Sequence, residues 1–424
     1  MEIDRPQART GRGQPCPMGV IPPLGHVPET MHAWTIRPER HGEPEDSFQL
    51  EVVPTPRPDS YEVLVLVMAA GVNYNAIWAG LGQPISPFDL HDWPYHVAGS
   101  DAAGIVWAVG DKVRSWKVGD EVVIHCNQDD GDDEECNGGD PMFSPSQRIW
   151  GYDTPDGSFA QFTRVQAQQL MPRPRHLTWE ESACYTLTLA TAYRMLFGHH
   201  PHELKPGQNV LVWGASGGLG SYAIQLINTA GANAIGVISD DDKRDFVLGL
   251  GARGVIDRRQ FACWGQLPQV GSRRYAEWFA ELRRFGKAIW DVTGKGRNVD
   301  IVFEHPGEAT FPVSTFVCKK GGMVVICAGT TGFNLTMDAR YVWMHQKRIQ
   351  GSHFAHLKQA AAANRLMVDR RLDPCLSEVF DWADMPAAHT KMRRNEHKPG
   401  NMAVLVMSPR AGLRTIEDAR AATP

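Results

Sequence analysis

Residues 209–227 read Asn-Val-Leu-Val-Trp-Gly-Ala-Ser-Gly-Gly-Leu-Gly-Ser-Tyr-Ala-Ile-Gln-Leu-Ile, and this stretch decides the fold. Val210-Leu211-Val212-Trp213 is short, apolar and partly β-branched, as a strand buried on both faces of a parallel sheet is. From Ser221 to Ile227 the apolar residues recur with a helical period. Between the two lie Gly214, Gly217, Gly218 and Gly220. Strand, glycine turn and helix in this order aim backbone N–H groups and a helix N-terminus at a pyrophosphate. Missing Cβ atoms let the backbone come close to the ligand. A glycine fingerprint alone is a weak signal; the flanking strand and helix make it a dinucleotide-binding loop. Gly214, Ser216, Gly217, Gly218, Leu219 and Gly220 are its candidate contacts.

Downstream of this loop, strands are expected at 210–213, 234–238, 254–257, 300–303 and 323–327, with helices between several of them. That alternation is the α/β signature of a doubly wound parallel sheet. Upstream, from about Met31 to Leu170, short strands and turns dominate: 61–67, 103–109 and 119–124 read as strands of a β-rich, barrel-like domain. Thr178 caps a helix that is expected to run on through Leu196. Residues 355–370 read as a further helix, and 401–407 as a strand returning to the first domain. The expected organisation is an arm over 1–30, a β-rich domain over 31–195 with 356–424, and a dinucleotide domain over 196–355.

Composition narrows the function classes. The formal net charge of −5 argues against a general nucleic-acid binder. No apolar run reaches the roughly 18 residues of a membrane span, and residues 1–30 carry no apolar signal segment. The eight cysteines form no C-x-x-C pair, so neither a zinc knuckle nor a disulfide framework is indicated. A cytoplasmic protein is the expectation. The acidic run Asp129–Glu135 has the wrong spacing for an EF-hand and reads as a solvated loop.

The order of these parts resembles the medium-chain dehydrogenase/reductase superfamily. Within it, Gln147–Thr154, Trp213–Tyr222, Val302–Gly307 and Gly351–Ala355 resemble the crotonyl-CoA carboxylase/reductase family. The resemblance runs from about residue 30 to 410. It implies a Rossmann-type sheet beside a GroES-like substrate domain, in an enzyme that reduces α,β-unsaturated acyl-CoA thioesters with NADPH. It also implies capture of the resulting enolate by CO2 or by a proton. A homo-oligomer, by the resemblance a tetramer, is expected, with Lys320 falling on a family lysine linked to subunit communication. No metal is expected: Asn73 and Gly99-Ser100-Asp101 stand where zinc-dependent members carry ligands.

The resemblance assigns four catalytic positions: Asn75, Tyr152, Asp153 and His353. The family's Phe-Glu pair is here Tyr152-Asp153. The added hydroxyl introduces a potential proton source, and the carboxylate is one methylene shorter. Both changes lead to the expectation that protonation gains on carboxylation, and that Tyr152→Phe with Asp153→Glu reverses it. For the cofactor, Ser239 and Lys243 match a family segment that receives the 2′-phosphate, while Asp240 replaces a serine. An acid there favours the ribose diol of NADH, and Lys243, Arg244 and Arg258 oppose it. NADPH is the expected cofactor and NADH the lesser alternative. Arg340 and Tyr341 match an Arg-Tyr pair at the CoA nucleotide, with Arg284 a further candidate. Rival readings are a non-carboxylating enoyl-CoA reductase, a quinone or enal reductase of the same superfamily, and a cofactor-binding protein without catalysis.

Overall fold

The computed structural model describes residues 14–422. The chain divides into two units: residues 1–187 with 376–424, and residues 188–375. The expected boundaries at 195/196 and 355/356 therefore shift. The helix Leu357–Val368 belongs with the dinucleotide unit, because its Gln359 accepts from Arg194 at 3.2 Å. The link that follows is held there too: Asp373 N–H donates to Gln225 at 2.7 Å, and the Tyr222 hydroxyl donates to the Pro374 carbonyl at 2.7 Å.

The first unit is built on the strand Glu62–Val72, whose residues from Val63 to Val72 are all buried. It lies inside a seven-stranded sheet, flanked by Ala102–Val109 and by the returning strand Asn401–Leu405, and it also pairs with Phe162–Gln166. The return strand expected at 401–407 is thus an inner strand of this sheet, between Glu62–Val72 and Leu376–Phe380. A second sheet of three strands orders Gln49–Pro54, Thr30–Ile36 and His96–Val97. The arm lies partly outside the described residues. Its described part, 14–29, runs along its own unit: the Cys16 carbonyl accepts from Gln161 and the His26 carbonyl from Trp107.

The second unit carries six parallel strands. Their spatial order places Gly254–Asp257, Asn233–Ile238, Asn209–Val212, Val299–Glu304, Cys318–Ile326 and Arg348–Gly351 side by side. Numbered within the unit this is 3-2-1-4-5-6, the order of dinucleotide folds. Strand order reverses between Asn209–Val212 and Val299–Glu304, the point outside the carboxyl ends of the strands where folds of this order bind their ligands. On one face Trp213, Leu282, Phe285 and Ile289 pack into a single buried cluster. Trp213 and Phe285 stack with centroids 5.7 Å apart.

One expected helix is two. Trp179–Ala183 ends, and Thr186–Phe197 begins anew. Thr178 and Glu181 form the reciprocal cap of the first. The break has a buried cause: the carboxylate of Asp101 accepts from the Thr186 amide at 3.2 Å, from the Thr186 hydroxyl, and from the Leu187 amide at 3.4 Å. A buried acid at a helix N-terminus satisfies donors that have no partner within the helix.

Candidate active site

In the first unit the strand Glu62–Val72 is followed by Asn73, which stands at the N-cap position of the helix Tyr74–Leu81 without a side-chain capping bond. Asn75, in its first turn, is buried and donates to the Ser100 hydroxyl at 2.7 Å. Its Oδ1 is buried with no hydrogen-bond partner. Rotation of the amide exchanges the roles, because Ser100 both donates and accepts. Either way one polar amide atom is left for a ligand. Next to Ser100, Asp101 is fully buried, and burial pushes its carboxyl up to about 7 against the bonds from Thr186, Leu187 and Asn73. Asn73 and Asp101 are bonded to each other at 3.4 Å, so the positions of zinc ligands in related chains are spent on one another. Among the described residues no group of three or more His, Cys, Asp or Glu is placed to hold a metal.

Tyr152 and Asp153 sit on a turn that starts at Gly151, whose φ of +72° suits glycine. A Cβ on Gly151 would overlap the Gly99 carbonyl, so this turn lies against the Gly99-Ser100-Asp101 segment that also holds Asn75. The structure thus brings Asn75, Tyr152 and Asp153 to one place. Asp153 accepts from the Ile149 amide at 2.7 Å, within its own turn. Burial raises its carboxyl above the ordinary range, and the Ile149 amide and then Arg148 oppose this. The Tyr152 hydroxyl donates to the Ile85 carbonyl at 2.8 Å. Its pKa is pushed up to about 12 by burial and then by the Asp153 charge. Both features weigh against the expectation that Tyr152 supplies a proton. The phenol's single proton is committed to the loop that follows the helix of Asn75, and the group is a weak acid.

In the second unit the glycine loop fits a pyrophosphate cradle. The helix Gly218–Thr229 begins with the amides of Gly218, Leu219 and Gly220, which have no carbonyl one turn earlier. A Cβ on Gly220 would overlap the Gly214 carbonyl. Gly214, at φ +55°, has His305 Nε2 only 2.6 Å from where a Cβ would stand. His305 bonds the Trp213 carbonyl at 3.0 Å, so the two chain segments that meet at the strand-order reversal are tied together. Ser216 is buried beside them. Below this loop Glu304 is fully buried and accepts from Thr310, Ser314 and the Gly307 amide; burial lifts its carboxyl to about 7.

At the end of the second strand, Lys243 Nζ donates to Ser239 Oγ at 3.1 Å. Asp240 is paired at 2.7 Å with Arg259, which also holds Asp257 at 2.8 Å. Arg258 instead lies over the Trp264 ring at 5.7 Å. The arginine that pairs with Asp240 is thus Arg259, and not the expected Arg258. Two adjacent arginines after a strand give no signal of which one turns toward Asp240.

His353 lies in the second unit, after the strand Arg348–Gly351. Its neighbour Phe354 holds φ +41°, a strained value for an aromatic residue, and the two rings are 4.6 Å apart. The residue is exposed, yet the atoms packed around the ring and then the Arg194 charge shift its pKa below the usual value. The CoA candidates do not converge. Arg340 is held by both oxygens of Asp338, at 2.9 and 2.6 Å. Tyr341 packs edge-on against Phe316 at 4.9 Å. Arg284 pairs with Glu281 at 2.6 Å and lies over the Phe261 ring, sharing no partner with Arg340.

Two family models match the chain: the alcohol dehydrogenase GroES-like domain over residues 59–175 and the zinc-binding dehydrogenase model over 218–369. A crotonyl-CoA carboxylase/reductase of Cereibacter sphaeroides is 80% identical over 401 residues, covering 95% of this chain and 93% of that protein. A crotonyl-CoA reductase of Streptomyces avermitilis is 43% identical over 88% of this chain and 85% of its own. Among solved structures, a 2-octenoyl-CoA carboxylase reductase in complex with NADP and 2-octenoyl-CoA superposes with a TM-score of 0.86 at 38% identity. That match covers 93% of this chain and 92% of that one.

Proposed function

The chain belongs to the crotonyl-CoA carboxylase/reductase family, and from that premise we propose that it reduces an α,β-unsaturated acyl-CoA with NADPH and captures the enolate with CO2. The nicotinamide supplies the hydride when bound. The cradle at Gly214–Gly220 fits its pyrophosphate, and Ser239, Lys243 and Arg259 are the groups suited to a 2′-phosphate. Arg340, Tyr341 and Arg284 remain the candidates for CoA.

The observation that carries the carboxylating reading is Asn75. Its amide is fixed on Ser100, buried, and left with one open polar atom. With the amide turned so that Ser100 donates, the NH2 is free to donate to an oxygen of CO2. Beside it in the first unit a strong acid is withheld: the Tyr152 hydroxyl is engaged as donor to the Ile85 carbonyl, and burial raises its pKa. A carbanion without a ready proton reacts with the electrophile that the site does admit. Zinc plays no part in this reading, because the Asn73–Asp101 pair is not a zinc donor set. Homotetramer assembly belongs to the same proposal by family membership.

The test is product analysis with crotonyl-CoA and NADPH under saturating bicarbonate. Carboxylated acyl-CoA is expected as the main product. A mainly protonated product refutes the assignment, and turnover of free enals without turnover of enoyl-CoA refutes the substrate class.

A further inference from the structure

Three histidines of the first unit surround Phe88: His41 and His91 at 5.6 Å and His96 at 6.5 Å between ring centroids. His91 and His96 stack, with an interplanar angle of 13°. Their hydrogen bonds run in one line. The Trp93 amide donates to His91 Nδ1 at 3.3 Å; His91 Nε2 meets His96 Nδ1 at 3.0 Å; His96 Nε2 meets the Gly151 carbonyl at 3.3 Å.

The two ends of this line fix every proton in it. A carbonyl only accepts, so His96 Nε2 must carry hydrogen. An amide N–H only donates, so His91 Nδ1 must be bare. With both rings neutral, His91 Nε2–H then donates to the bare Nδ1 of His96, and all three bonds are made. No other neutral tautomer pair makes all three. A proton added to either ring sets two N–H groups against each other. Burial opposes that proton as well, lowering His91 to about 4 and His96 to about 3.

The line ends one residue before Tyr152-Asp153. The turn's Tyr152 reaches across to the segment after the helix Tyr74–Leu81, bonding Ile85, and His41 holds that segment by meeting Ser86 Oγ at 2.9 Å and the Gly80 carbonyl at 3.1 Å. We infer that His91 and His96 are positioning residues that hold the Gly151 turn and, through it, the candidate pair Tyr152-Asp153 that lies beside Asn75. The inference rests on the carboxylating reading above. Neither histidine is assigned contact with substrate; they act through the carbonyl of Gly151.

His96→Phe keeps a ring in the stack and removes both bonds. It is expected to raise the ratio of protonated to carboxylated product about tenfold, the scale of one or two lost buried hydrogen bonds. The rate of enoyl-CoA-dependent NADPH oxidation at saturation is expected to stay within about threefold, since hydride delivery does not use this turn. His96→Gln, which has a donor for Gly151, is expected to recover part of the ratio. An unchanged ratio in His96→Phe overturns the inference, and so does a ratio that moves only with a parallel loss of folded protein by thermal melt. Asp153→Ala, measured alongside, separates the two claims. If His96→Phe shifts the ratio and Asp153→Ala does not, the coupling does not run through this turn and the inference fails. If Asp153→Ala shifts it and His96→Phe does not, the inference alone fails and the carboxylating reading stands. The wild-type product ratio tests that reading by itself.

Discussion

Arg259→Ala is expected to remove most of the preference for NADPH over NADH. Eight charged side chains stand at or just after the ends of the second and third strands of the dinucleotide sheet: Asp240, Asp241, Asp242, Asp257, Lys243, Arg244, Arg258 and Arg259. They sum to zero. Without Arg259 the sum is −1, facing a 2′-phosphate that itself carries about two negative charges at neutral pH. At a solvent-exposed site one unit of charge changes affinity about tenfold. The kcat/KM for NADPH is therefore expected to fall about tenfold, and that for NADH to stay nearly constant. Arg259 and Asp240 are each about half exposed (51% and 48%), so their pairing adds little to stability and the variant should fold. Asp240→Ser in the Arg259→Ala background returns the sum to zero and should restore NADPH to within about threefold of wild type. Added salt should shrink every difference. Steady-state kinetics of the four proteins with both cofactors completes the cycle. An unchanged NADPH/NADH ratio in Arg259→Ala refutes the argument. Absence of recovery in the double variant refutes the part given to Asp240.

Two further outcomes follow from buried groups. Glu304 has a pKa of about 7 in the fold against an ordinary 4.5, so the folded chain holds that proton more tightly than the unfolded one. Its contribution is complete below about pH 4.5 and is lost as pH rises through about 7. The urea midpoint should thus fall between pH 5.5 and pH 8. Asp101 acts with the same sign, so Glu304→Gln should remove only part of the decline; a full decline in that variant would refute the assignment. Gly220→Ala forces a methyl group into the Gly214 carbonyl. NADPH affinity, followed by its fluorescence, should drop at least about tenfold, and an unaltered Kd would show that the loop gives way freely.

Local pattern made much of this chain readable. The run from Val210 to Ile227 changes from strand to helix within a few residues, and the structure places Asn209–Val212 and Gly218–Thr229 there. Gly254–Asp257 also falls where its alternation put it. The helix break before Thr186 could not be read, because its cause, Asp101, lies 85 residues away in the chain. Strand Cys318–Ile326 starts before its expected position, and Arg348–Gly351 had no local signal strong enough to be named. Both complete a parallel sheet whose neighbours are remote in sequence.

The candidate site divides along the same line. Residue types and their spacing by themselves determined the doubly wound sheet and the glycine cradle, because each is a short pattern whose physics is local, while Asn75, Tyr152, Asp153 and His353 became candidates through the resemblance of their motifs to a family. Only the tertiary structure decided what those groups are free to do. Tyr152 spends its proton on Ile85, 67 residues away. Asp240 is neutralised by Arg259 rather than by Arg258, and His96 reaches Gly151 across 55 residues. A hydrogen bond or an ion pair depends on where two side chains meet in space, and that meeting is set by the packing of whole elements.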